Sequence, residues 1–315
     1  MKLLLSRQIK DLHISPVSCI EWVRQSFLMK PQAQLPPKVS LYPQGHDFFT
    51  TMPCILPEDY HRFGVKVIRR INGAVPTLGG DIYLYDTQSG ELLAMLDSDW
   101  ITTMRTGAVA TLAIQTFRKS EAHTYGFIGL GNTSRATMLC LLESEPEAFH
   151  QVRLFRYKDQ AEDFIRRFND YTNVTFTIVD SIEELVSASD VVVSCITEAN
   201  ELLCPDDSLF RPGCLVVPVH TRGFQNCDLF FDKVFADDRG HVSSFRYFDR
   251  FHQFAEFTDV LNGQNPGRTC DTERILCYNI GIGLHDVFFA HNIYEEYARQ
   301  DNEIEIEREH EKFWI

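Results

Sequence analysis

Two kinds of hydrophobic patterning divide the chain. From about residue 123 to residue 240, short, nearly uninterrupted apolar runs alternate with segments of helical periodicity. The runs at 125–128, 152–155, 174–178, 191–195 and 214–219 have the length and β-branched content of strands buried on both faces. Helices are expected at 160–168 and at 181–188, where Ser181 and Glu184 are spaced as a capping box, and a sixth strand at 233–236. Strands and helices in strict alternation predict a doubly wound parallel sheet. The first third of the chain reads differently. Strand patterns at 2–5, 38–41, 48–52, 63–71, 81–85 and 92–96 are joined by turns such as Asp86-Thr-Gln-Ser-Gly90, with a helix near 20–29 and a linker containing Pro31, Pro36 and Pro37. That pattern predicts an antiparallel or mixed sheet. Helical spacing returns at 254–261 and from about 271 to 300, where Gly281 and Gly283 lower the helix propensity and imply close packing or a ligand. The acidic tail 303–315 is expected to be a solvated or partner-packed helix.

The chemistry begins where the run 125–128 meets Gly129-Leu-Gly131-Asn132-Thr133-Ser134 and a helical pattern follows. A strand, a glycine turn and a helix start in that order make a cradle for phosphate. Gly129 permits the turn, Gly131 admits a pyrophosphate to the backbone, and the helix N-terminus at Asn132, Thr133 and Ser134 presents unpaired N–H groups. Ser134 takes the place of a third glycine and is still small enough for close helix packing. At the end of the next strand, where an acid would hold the ribose hydroxyls of NAD, the chain has Arg156-Tyr-Lys158. Two cations there suit a 2′-phosphate, so NADP(H) is favoured and NAD(H) stays possible. Upstream, Thr102-Thr-Met-Arg105-Thr106-Gly-Ala-Val-Ala opens a helix with a small-residue face that lets another backbone or a ligand come close.

Composition narrows the classes. The 315 residues carry a formal net charge of −14, which disfavours nucleic acid and anionic membranes as partners. No apolar run is long enough to span a bilayer, and the N-terminus does not look like a signal peptide. Nine scattered cysteines without a C-x-x-C pair point to a reduced, cytoplasmic protein without a metal.

Several stretches, in order along nearly the whole chain, resemble the ornithine cyclodeaminase/μ-crystallin family. They are Met52-Pro53, Gly64-Val-Lys66, Asp86 through Gly90-Glu-Leu-Leu-Ala94, Ile101-Thr with Arg105-Thr-Gly-Ala, the glycine turn, Gly263 with Pro266-Gly267-Arg268, and Gly281-Ile-Gly-Leu-His-Asp286. The resemblance implies a Rossmann domain (122–274) beside a mixed-sheet domain (1–121 with 275–315) that binds substrate and forms a homodimer. It also implies dinucleotide-dependent chemistry at the α-carbon of amino acids or their imines. The substrate carboxylate would be clamped by residues matching Lys66 and Arg105, with Lys38 where an arginine often sits and Met52 nearby. Thr106, Val219 and the segment Ser194-Cys195-Ile196-Thr197 would join the turn around the cofactor. An arginine fork and a lysine ammonium suit such a carboxylate.

One departure changes the expected reaction. Where cyclodeaminases usually carry an aspartate for the substrate amine, this chain has Pro218-Val-His220. A histidine can move protons near neutrality but does not attract an ammonium as a carboxylate does. The expected function is therefore an NAD(P)-dependent oxidoreductase acting on an amino acid, imino acid or N-substituted amino acid, with Lys66 or His220 moving the proton. A cyclodeaminase-type lyase and a ligand-binding protein without turnover are the alternatives. The aromatic segment 243–254 implies an apolar cavity, an interface or core.

Overall fold

In the computed structural model, which describes residues 1–197 and 199–298, the chain forms two compact units. Of the described residues, one unit contains 1–13, 32–101 and 286–298; the other contains 14–31 and 102–285 apart from 198. The segment 14–31 and most of the small-residue helix thus group with the second unit, whereas the expected division ran at 121/122 and 274/275. The tail expected to be helical lies outside the described residues.

The first unit is built on a six-stranded sheet. Its strands are β1 (Lys2–Leu4), which precedes helix α1 (Ser6–Asp11), then β2 (Val39–Leu41), β3 (Phe48–Ile55), β4 (Arg62–Arg70), β5 (Leu78–Asp86) and β6 (Leu92–Asp97). The order is β1-β6-β5-β4-β3-β2, with β1 parallel to β6 and every other pair antiparallel. Alternation sends one face inward. Met52, Lys66, Ile82 and Leu96 form a lateral row of partners across four strands, and all four are buried. A lysine in such a row is the anomaly of this sheet.

The second unit starts with α2 (Pro16–Met29), capped by Ser15, whose hydroxyl accepts from the Ser18 N–H at 3.0 Å. Helix α3 (Asp99–Phe117) enters it from Thr102. There follow β7 (Thr124–Ile128), α4 (Asn132–Ser144), β8 (His150–Phe155), α5 (Gln160–Arg167), β9 (Val174–Val179), α6 (Ile182–Ser187), β10 (Val191–Ser194), β11 (Leu215–Pro218), α7 (Cys227–Phe230), β12 (Lys233–Ala236), α8 (Arg239–Val242), β13 (Ala255–Glu256), α9 (Phe257–Leu261) and β14 (Ile275–Tyr278). All eight strands are parallel, in the order β13-β12-β14-β11-β10-β7-β8-β9. The winding reverses at the β7–β10 pair, where α/β sheets place their ligands. This is the doubly wound sheet expected from the alternation. Ser181 caps α6 by accepting from the Glu184 N–H at 3.1 Å.

Two elements differ from expectation. The long helix expected from 271 is a strand, β14, inserted between β11 and β12, and then a separate helix α10 (Gly283–Ala298). Ile275–Tyr278 is a four-residue apolar run buried on both faces, which periodicity cannot separate from a helical turn. Gly281 is not helical; at φ +92° it breaks the chain between strand and helix. Likewise, the helix expected at 254–261 begins only at Phe257, after the short edge strand β13. Among the described residues, no helix is long and apolar enough to cross a membrane.

Candidate active site

At the switch point, Ile128 ends β7 and Gly129 turns at φ +79°. A Cβ at Gly129 would lie 2.8 Å from the Ile196 backbone nitrogen, so both conformation and space demand glycine. Gly131 is the N-cap of α4, and nothing lies within 4 Å of where its Cβ would be. The backbone there faces open space, above the N–H groups of Asn132, Thr133 and Ser134 that a helix start leaves without intrahelical partners. Ser134 is buried and its hydroxyl donates to the Gly129 carbonyl at 2.6 Å. The serine thus ties the turn closed, which a third glycine could not do. A cavity of about 450 Å³ opens over this turn, bounded by Cys195, Ile196 and Thr197 on one side and by Phe155 and Tyr157 on another. Open space, oriented donors and an apolar wall fit a dinucleotide.

The small-residue face of α3 meets another backbone. A Cβ on Gly107 would fall 2.5 Å from the Ala136 Cβ and 2.7 Å from the Thr137 nitrogen, so α3 lies directly on α4. Thr111 donates to both Gly107 O and Thr137 O, at 2.9 and 3.1 Å, and Thr106 donates back to Thr102 O within α3. Gly107 is therefore a packing glycine that braces the helix beneath the cradle.

Beside the turn, the Cys195 N–H donates to Ile128 O and the Val219 N–H to Ser194 O, each at 2.8 Å. These bonds align the ends of β7, β10 and β11. His220 Nε2 and Ser194 Oγ are hydrogen-bonded at 2.7 Å. Burial lowers the His220 pKa to about 4, against a small opposing contribution from the Arg222 backbone. The imidazole is thus neutral near pH 7, which removes the titration near neutrality expected of an unperturbed histidine. Burial also pushes the Cys195 thiol up to about 12.

At the end of β8, Arg156 is gripped from two sides: Nε donates to Asp180 at 2.7 Å and a terminal nitrogen donates to Glu162 at 2.6 Å. These bonds raise its pKa, with Asp180 contributing most. Lys158 adopts φ +51° and lies over the Tyr157 ring at 5.2 Å. Both cations are where the sequence puts them, but Arg156 already has two carboxylate partners.

In the first unit, Lys66 is fully buried and its Nζ donates to Asp286 Oδ1 at 2.8 Å. Gly64 explains the approach. A Cβ there would fall 2.7 Å from the methyls of Val287, so glycine on β4 lets α10 come down and deliver Asp286 one residue earlier. Burial, with Asp286 adding to it, raises the thiol of neighbouring Cys54 to about 12. Met52 is the buried cross-strand partner of Lys66, whereas Lys38 is exposed ahead of β2.

Arg105 is buried in the second unit, and Gly281 leaves room for it: a Cβ there would be 2.4 Å from a guanidinium nitrogen. The Gly281 N–H donates to buried Asp237. Burial pushes Asp237 up, but hydrogen bonds from His241 and Gly281 hold its pKa below the usual carboxylate range. Asp286 and Gly281 were not singled out as site residues from the sequence, although both lie in the run Gly281–Asp286 that carried part of the family resemblance.

A doubly wound parallel sheet with a glycine turn at its switch point, joined in one chain to a mixed sheet that buries a lysine, defines a two-unit α/β protein of the dinucleotide-binding class. The comparisons agree. The model of the ornithine cyclodeaminase/mu-crystallin family matches residues 2–301, and the chain belongs to that family. It is 27% identical over 275 residues to the nodulation efficiency protein NfeD of Rhizobium meliloti, covering 82% of this chain and 83% of that protein. It is 26% identical over 241 residues to the N-((2S)-2-amino-2-carboxyethyl)-L-glutamate dehydrogenase of Staphylococcus aureus, covering 71% and 69%. Among solved structures, the Thermococcus litoralis Delta(1)-pyrroline-2-carboxylate reductase in complex with NADH and L-proline matches with a TM-score of 0.86 at 22% identity, covering 97% of this chain and all of that one.

Proposed function

We propose that this protein is an NAD(P)-dependent oxidoreductase that reduces an imino acid, or oxidises the corresponding amino or N-substituted amino acid, at the α-carbon. The observation that carries the reading is Lys66, a cation kept in a buried row of an otherwise apolar sheet face. Burying an ammonium is costly, and the contact with Asp286 offsets that cost. In this reading Lys66 and Arg105 hold the substrate carboxylate, with Met52 against its body and Lys38 as a more distant cation. Lys66 Nζ also holds the proton for the substrate nitrogen. His220, being neutral, orients through its bond to Ser194 and is a poor acid at neutral pH. Lacking a negative charge, it would not attract a substrate ammonium, which disfavours the cyclodeaminase reading.

The cofactor would be held by Gly129, Gly131, Asn132, Thr133 and Ser134 at the pyrophosphate, and by Thr106, the segment 194–197 and Val219 further along. When bound, the nicotinamide supplies the hydride. NADP(H) is the favoured form, because Arg156 and Lys158 follow the end of β8, with Asp159 coming only after them. Arg156 must then exchange Asp180 or Glu162 for the 2′-phosphate. A homodimer through the first unit's sheet is supported by Val39, Leu41 and Phe49, apolar and exposed on its edge strand β2 and on β3. A cytoplasmic location is part of the same proposal.

The test is a screen of cyclic and linear imino acids, and of keto acids paired with amines, for oxidation of NADPH or NADH. Turnover that disappears in Lys66→Met supports the reading. Absence of turnover with every carboxylate-bearing imine would overturn it.

A further inference from the structure

A second cavity in the same unit shares no residue with the one over the glycine turn. It encloses about 880 Å³, within the range of sites for small organic ligands. Its charges are separated by depth. Asp228 is almost wholly buried, and one of its oxygens accepts from the Tyr278 hydroxyl at 2.8 Å. His241 also lines the cavity, with Nδ1 3.2 Å from an oxygen of Asp237; with Nδ1–H donating to that carboxylate, an unprotonated Nε2 would offer a second acceptor. The mouth is basic: Arg222 and Arg246 are exposed, and neither pairs with a carboxylate among the described residues. Arg246 lies over the Tyr247 ring at 5.1 Å, and among the described residues Glu201 is the acid that lines the cavity besides Asp228. Phe245 and Leu229 supply apolar wall.

Acceptors at depth select a cationic donor, guanidiniums at the mouth select an anion, and an apolar wall selects a hydrocarbon body. A simple amine would meet two arginines on entry, and a simple carboxylate would leave Asp228 facing it. We propose that this cavity binds a zwitterionic amine, an amino acid with a sizeable apolar side chain, whose ammonium lies against Asp228 and His241 and whose carboxylate stays with Arg222 and Arg246. Neither Lys66 nor Arg105 lines this cavity, and the proposal does not depend on the oxidoreductase reading.

Calorimetric titration of the full chain with L-phenylalanine, 2-phenylethylamine and 3-phenylpropanoate tests it. The three probes share one body and differ only in their charged groups. The zwitterion is expected to bind roughly tenfold or more tightly than either single-charge probe. Asp228→Asn keeps the volume and an acceptor for Tyr278, and is expected to weaken phenylalanine by about tenfold or more. Arg222→Ala with Arg246→Ala, both at the exposed mouth, is expected to weaken phenylalanine and 3-phenylpropanoate while sparing 2-phenylethylamine. Lys66→Met is expected to retain this binding. Three results would overturn the proposal: no binding of phenylalanine by the intact chain, binding unchanged in both the Asp228 and the arginine variants, or binding that vanishes in Lys66→Met while its circular dichroism and melting transition show the variant folded.

Discussion

Lys66 and Arg156 are both cations held by carboxylates, yet their settings are opposite. Lys66 and Asp286 are fully buried, on β4 and α10, whereas Arg156 is exposed and divides its hydrogen bonds between Asp180 and Glu162. A buried pair cannot lose one member without stranding the other in a low-dielectric interior. An exposed pair is screened by water, contributes little to stability, and exchanges partners readily. The buried pair can therefore serve as a fixed, preorganised charge, and the exposed one as an adjustable contact. Substitutions that break or sharpen this contrast can be ordered by expected effect.

The largest effect belongs to the buried pair. Lys66→Met is expected to destabilise the protein by about 3–5 kcal/mol, because it removes the ammonium that faces a fully buried carboxylate. Adding Asp286→Asn should recover part of that loss in denaturant unfolding. Turnover should stay depressed by about 10²–10⁴-fold in both variants, since the proton donor is gone in each. Recovery of activity together with stability would show that Lys66 is structural.

Gly281→Ala comes next. It forces a side chain into the left-handed region at φ +92° and brings a Cβ to 2.4 Å from the Arg105 guanidinium. A cost of about 1–3 kcal/mol is expected in thermal or denaturant unfolding. KM for the imino acid should rise more than kcat falls, as expected when a binding group is displaced.

His220 adds a pH dependence. Its folded pKa of about 4 lies below the ordinary 6.5, so between these values the unfolded chain binds the extra proton. Stability should fall as pH drops through that window and be fully present above it. His220→Gln should flatten this acid limb in unfolding measured at stepped pH, and an unchanged limb would assign it to other groups.

The smallest effect belongs to the exposed cluster. Asp180→Asn should leave thermal stability nearly unchanged and tighten NADPH binding several-fold by releasing Arg156 for the phosphate. Arg156→Ala should weaken NADPH more than NADH, and the opposite ranking would remove this residue from cofactor choice.

The same contrast explains what was legible in the sequence. The turn from β7 into α4 could be read because its requirements are local: an apolar strand, glycine at a positive φ, and small residues at a helix start. The alternation of β7 to β12 was legible for the same reason. β14 was not, since four apolar residues carry no period and only the place between β11 and β12 makes them a strand. Asp286 is 220 residues from Lys66 in sequence, and nothing local joins them until Gly64 lets α10 approach β4. The acids on Arg156 lie 6 and 24 residues away, so the sequence showed two cations where the fold shows a shared charge cluster. His220 could be located from sequence, but the burial that keeps it neutral could not.

The most direct test of the account compares Δ1-pyrroline-2-carboxylate with Δ1-pyrroline, its analogue without the carboxylate, following reduced-nicotinamide absorbance in the intact protein and in Lys66→Met. The intact protein is expected to reduce the carboxylate-bearing imine far faster than the analogue, and Lys66→Met to abolish this preference. Equal reduction of both imines by the intact protein, or a preference that survives in Lys66→Met, would contradict it.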